Sequence, residues 1–147
     1  MSVAVALVAA VAASEPANGE RVHFGVISTS YPRHDGDPAG SFVHGFNRFL
    51  QRSGHRVSVV CAGDAGAPMF ERLDSVSVHR LKSSLFYSGG APDALTKSFL
   101  SRPLQTISRA GQFSVELSRT ASRLLADCDV LISHWLLPCG LLGAQLQ

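Results

Sequence analysis

The stretch from Arg21 to Ala62 constrains the fold more than any other part of the chain. Arg21–Ser28 (RVHFGVIS) is rich in β-formers, with Val22, Phe24, Val26 and Ile27, and reads as a buried strand. Thr29–Ala39 (TSYPRHDGDPA) is punctuated by Pro32, Gly36 and Pro38 and reads as a loop. From Gly40 the pattern turns helical, and Phe42, Phe46, Phe49 and Leu50 share one apolar face at i, i+4, i+7 and i+8. Gly54 suits the left-handed position that ends a helix, and Arg56–Ala62 (RVSVVCA) is a second apolar strand. Strand, loop, helix and strand in this order make a βαβ unit with a right-handed crossover, so the chain is expected to build an α/β sheet.

The rest extends that sheet. Gly63–Asp74 reads as loop, and Val76–Leu81 alternates like a third strand near an edge. Lys82–Arg102 is irregular, with Gly89-Gly90 and Pro92. Leu104–Ala126 is mostly helical, with Gly111 as a candidate break, and Asp129–Ser133 is a fourth strand ending at His134. The expected fold is a Rossmann-like parallel sheet with strand order 3-2-1-4, flanked by helices, in an incomplete single domain spanning 21–147.

Residues 1–20 stand apart as an apolar extension and linker. Val3–Ala13 is an unbroken apolar run, shorter than the roughly 20 residues a membrane span needs. No basic residue precedes it, as a secretory leader would require. A leader, a disordered extension, a loosely docked helix and a misassigned start are the readings it leaves open.

Composition excludes some classes. In 147 residues, 46% are hydrophobic and 16% charged, which supports one real core. A formal charge of +2, without like-charge blocks, gives no case for nucleic acid as a partner. Cys61, Cys128 and Cys139 are odd in number and widely spaced, and the six histidines show no ligand spacing, so no metal or disulfide framework is expected.

In an open parallel sheet, ligands bind beyond the carboxyl ends of the strands. The loop at Thr29–Ser41 and the segment starting at His134 both reach that edge. Gly40 and Ser41 open a helix whose free N–H groups suit an anion such as a diphosphate, or simply cap the helix. His134 is a neutral imidazole able to bond a sugar hydroxyl, or a buried histidine held by the backbone. Trp135 stacks on a sugar ring or packs, and Arg33 and His34 meet a phosphate or an acceptor, or remain solvated.

Several segments together resemble one family. Val26–Arg33 (VISTSYPR), Asp37–Val43 (DPAGSFV), Ser53–Val60 (SGHRVSVV), Val78–Leu81 (VHRL) and Asp129–Gly140 (DVLISHWLLPCG) are similar, in order and spacing, to the opening half of family 4 glycosyltransferases of the GT-B fold. The resemblance implies two Rossmann-like domains and retaining transfer of a hexose from a sugar nucleotide to a glycolipid or polysaccharide acceptor, with no cofactor or metal. It places Gly40 and Ser41 near the donor diphosphate, His134 near the donor sugar as the catalytic-site histidine, and Arg33 and Trp135 as acceptor or sugar contacts. Many members carry Gly-Gly where this chain has Gly40-Ser41. The donor-binding half has no counterpart in these residues, so the chain is expected to be a truncated N-terminal, acceptor-side portion, inactive alone, working with a separate C-terminal donor domain. Its expected location is the cytoplasm, including the inner membrane face as a peripheral site. The alternative is a non-catalytic α/β binding or interaction module.

Overall fold

The computed structural model describes residues 21–64, 66–84, 97, 100–135 and 139–145. The readings made for residues 1–20, for most of the irregular Lys82–Arg102 stretch and for 136–138 fall largely or wholly outside them. The elements are β1 (His23–Ser28), α1 (Ser41–Arg52), β2 (Arg56–Cys61), β3 (Phe70–Leu73), β4 (Val76–Arg80), α2 (Pro103–Leu124), β5 (Val130–Ser133) and α3 (Leu141–Gln145).

The fold is α/β, a mixed five-stranded sheet flanked by helices. β1 pairs in parallel with β2 on one side and β5 on the other, with Gly25 opposite both Ser58 and Leu131. β2 pairs in parallel with β4, and β3 joins β4 antiparallel. The order is β3-β4-β2-β1-β5. The four expected strands, β4, β2, β1 and β5, are parallel and lie in the succession 3-2-1-4, and the expected order is corrected by a fifth, antiparallel edge strand, because Phe70–Leu73 lies inside the stretch read as loop. Four residues with Glu71 and Arg72 in the middle carry little strand signal of their own. The strand forms through its partner. Asp74 and Ser75 both take left-handed backbone, at φ 48° and 69°, as a two-residue hairpin turn requires. The buried Arg80 guanidinium of β4 also pairs with Glu71 across the hairpin.

Strand alternation sends side chains to two cores. On one face Val26, Val57, Val59, Val76 and Val78 meet Val43 and Leu50 of α1. On the other, Ile27, Val60 and Leu81 meet Phe113, Leu117 and Ala121 of α2, with Leu125 and Cys139. α2 runs through Gly111 without a break. The stripe read on α1 is not its buried face. Val43, Asn47 and Leu50 turn inward, while Phe42, Phe46 and Phe49 are 56%, 40% and 64% exposed. Both sets have the i, i+4, i+7 spacing. Sequence alone favours the bulkier one, and packing against the sheet takes the slimmer one. Among the described residues, no helix is long and apolar enough to cross a membrane.

Candidate functional site

The site is built at the carboxyl ends of β1 and β5. After β1 the chain turns tightly, with the Ser28 hydroxyl donating to the Ser30 carbonyl at 2.8 Å. Asp37 then organises the loop from within. Its carboxylate accepts from the amides of Arg33 and Ala39, both at 3.1 Å, and from Arg33 Nε at 2.7 Å. The Arg33 guanidinium beside it, helped by those two amides, holds the Asp37 carboxyl well below the usual carboxylate range. Arg33 also approaches Asp64 at 3.6 Å.

That clamp delivers Gly40 to a position only glycine fits. Its φ is 67°, and a Cβ there would lie 2.5 Å from the Ser30 carbonyl oxygen. α1 starts at once, so the first-turn amides of Phe42 and Val43 have no carbonyl four residues back inside the helix. The helix dipole adds partial positive charge at the same point.

The second half of the site follows β5. The His134 amide donates to the Ile27 carbonyl at 2.8 Å, continuing the β1–β5 ladder by one residue. Trp135 then adopts φ 76°, a left-handed backbone unusual for a bulky side chain and a place where strain is stored. The Gly140 amide donates to the Trp135 carbonyl at 3.0 Å. Both rings land on α1. Phe42 meets His134 edge to face at 5.9 Å between centroids and Trp135 at 6.1 Å, and Phe46 lies 6.5 Å from His134. Such aromatic pairs contribute about 0.5–1.5 kcal/mol each beyond simple burial.

His134 Nε2 and Trp135 Nε1 are buried, and neither has a hydrogen-bond partner among the described residues. Burial holds the His134 imidazole below its ordinary value, so it is neutral near pH 7. A neutral imidazole offers one donor and one acceptor, and an indole offers one donor.

The five sequence-derived candidates therefore separate. Gly40, His134 and Trp135 come together, joined by Phe42. Ser41 opens the helix but faces another flank of α1, a groove it lines with His34, Gly45, Arg48 and Asp74. Arg33 is engaged with Asp37 and Asp64 at the loop's base. Sequence reasoning did not find Phe42 and Phe46 as the wall over His134. It also missed a polar chain beneath the loop. Tyr31 Oη lies 2.8 Å from His44 Nδ1, and His44 Nε2 lies 3.0 Å from Asp74 Oδ2, so one imidazole ties the β1–α1 loop to the β3–β4 turn. Nothing in local pattern links Tyr31, His44 and Asp74, because the hairpin that brings Asp74 there was itself unread.

Comparison with known protein families, curated proteins and solved structures finds no match.

Proposed function

We propose that the chain is the N-terminal, acceptor-side portion of a retaining GT-B glycosyltransferase with a Rossmann-like sheet. In this reading it borders the donor sugar and diphosphate of a sugar nucleotide without holding the nucleotide itself. The observation that carries the reading is the meeting of two separate chain segments at one sheet edge. Phe42, two residues beyond Gly40 at the start of α1, meets both rings of the His134-Trp135 pair. The motif resemblance along Val26–Arg33, Asp37–Val43 and Asp129–Gly140 adds the family.

In the proposed chemistry, the start of α1 receives diphosphate oxygens through backbone N–H groups, and Gly40 allows the close approach. Neutral His134 bonds a hydroxyl of the donor sugar without carrying charge into the cleft. Charge on the leaving diphosphate is stabilised chiefly by groups of a donor-binding half, commonly a dominant contribution in such transfers.

The test is titration of the labelled chain with inorganic pyrophosphate and with UDP, followed by amide and imidazole NMR. Shifts centred on Gly40, Phe42, Val43 and the His134 ring are expected, weakened severalfold in Gly40→Ala. Shifts confined to surface arginines, or none at all, reject the reading. Steady hexose transfer by the purified chain alone rejects the half-enzyme part of it.

A further inference from the structure

Arg80 ends β4, and its side chain is only 2% exposed. A guanidinium taken out of water is costly, so its partners show what it is retained for. The hairpin itself does not need the charge. The Arg80 amide already donates to the Met69 carbonyl at 2.8 Å, and β3 pairs with β4 along its whole length. The guanidinium reaches further. One nitrogen, Nη2, donates to two partners from different parts of the chain, the Glu71 carboxylate of β3 and the Pro32 carbonyl at 2.7 Å. Nη1 lies 3.6 Å from Cys61 Sγ, and Nε has no partner among the described residues.

Pro32 carries that bond into the site loop. Its carbonyl and the Arg33 amide belong to one planar peptide unit. Arg80 holds the carbonyl side, and Asp37 accepts from the amide side at 3.1 Å. The same carboxylate accepts from the Ala39 amide at 3.1 Å, one residue before Gly40. Hydrogen bonds thus run without a gap from Glu71 through Arg80, the Pro32-Arg33 peptide and Asp37 to the Gly40 turn. The planar group fixes direction as well as distance. With one N–H of Nη2 on Glu71, the other is aimed at Pro32. The neighbouring residue is tied to the same hairpin, since Tyr31 meets His44 and His44 meets Asp74 of the β3–β4 turn.

We propose that Arg80, set by Glu71, is a positioning residue for the Gly40 turn, so that the edge hairpin fixes the angle at which the start of α1 meets an anion. The anion-facing step rests on the diphosphate reading of that turn; the placement of the turn does not.

The experiment compares amide NMR of the unaltered full chain, Arg80→Met and Glu71→Gln, first in plain buffer and then with inorganic pyrophosphate. In buffer, both variants are expected to shift the Arg33, Ala39 and Gly40 amides and to leave those of Gly25 and Leu131 in place. Shifts confined to β3 and β4, or spread evenly over the sheet, overturn the proposal. Arg80→Lys keeps the charge but not the planar fork, and an unaltered Gly40 amide in that variant overturns the role of the guanidinium. With pyrophosphate, the dissociation constant is expected to rise severalfold in Arg80→Met and by less in Glu71→Gln, at unchanged far-UV circular dichroism. Equal affinity in all three overturns the positioning role. Should Arg80→Met fail to fold, Glu71→Gln, at a side chain 22% exposed, carries both arms alone. An unaltered chain that ignores pyrophosphate defeats the diphosphate reading of the site, and the shifts in plain buffer then decide for or against Arg80.

Discussion

The two faces of the sheet are covered in different ways. On the α2 side a 22-residue helix lays Phe113, Leu117 and Ala121 onto Ile27 and Val60, with Thr106 as its one buried polar residue, and the Cys139 thiol in the cluster is pushed by burial up to about 12. On the α1 side a 12-residue helix puts Asn47 in the middle of its buried stripe, beside Tyr31 and His44. Asn47 Oδ1 is buried without a partner among the described residues. A face that accepts an unmet acceptor is not optimised for stability alone. The α2 face holds the molecule together. The α1 face positions the Gly40 turn, the Tyr31–His44–Asp74 chain and the rings against His134.

The largest expected effect tests the first half of that contrast. Phe113→Ala, at a fully buried position, is expected to cost about 3–5 kcal/mol in urea unfolding. A loss below about 1 kcal/mol would show that the α2 face is not the stabilising one. Next comes Gly40→Ala, which places a methyl against the Ser30 carbonyl in left-handed backbone. A loss of about 1–3 kcal/mol is expected, with a change in Trp135 emission as α1 shifts against it. Stability loss with unchanged emission would mean that the turn does not position the site. Asn47→Leu keeps the branching of the side chain but removes both the unmet acceptor and the Asn47 Nδ2 donation to Tyr31 Oη, and is expected to cost about 1–2 kcal/mol. If it costs as much as Phe113→Ala, the two faces are equivalent and the contrast fails.

The smallest effect is in pH. Burial lowers the His134 pKa in the folded chain, so the unfolded chain takes up the proton first as pH falls. Stability from this source is complete above the unfolded value of about 6.5 and declines below it toward the folded pKa. His79 shifts in the same direction through burial. His134→Gln should therefore reduce, without abolishing, the drop in urea midpoint between about pH 7.5 and 5.5. Asp37 acts with the same sign at lower pH, contributing above about 4 and losing that contribution in acid. An unaltered pH profile in the His134 variant would place the imidazole in water.

The frame of this fold was largely legible because β1, α1, β2, β4, α2 and β5 each carry their own periodicity. The α/β class followed from the first βαβ unit alone. β3 was not legible, since Phe70–Leu73 is a strand only in the company of β4 and the Arg80–Glu71 pair. The inward face of α1 was misjudged because three phenylalanines outweigh Val43 and Leu50 in any apolar count. Asn47, which marks the true inward face, reads as polar surface. At the site, Gly40 and His134 were visible from their places at a helix start and a strand end. That Arg33 spends its guanidinium on Asp37 depends on a loop conformation that no periodicity encodes.

The two margins of the sheet are not equally guarded. β3 is short and carries Glu71 and Arg72, charges that discourage a neighbour from adding on. Among the described residues β5 is Val-Leu-Ile-Ser, half-buried, with β1 along one side only. An uncharged margin of this kind is a template for lateral growth, so concentrated solutions of the chain should polymerise from β5 first. A lysine at Val130 should delay that onset more than a lysine anywhere on β3.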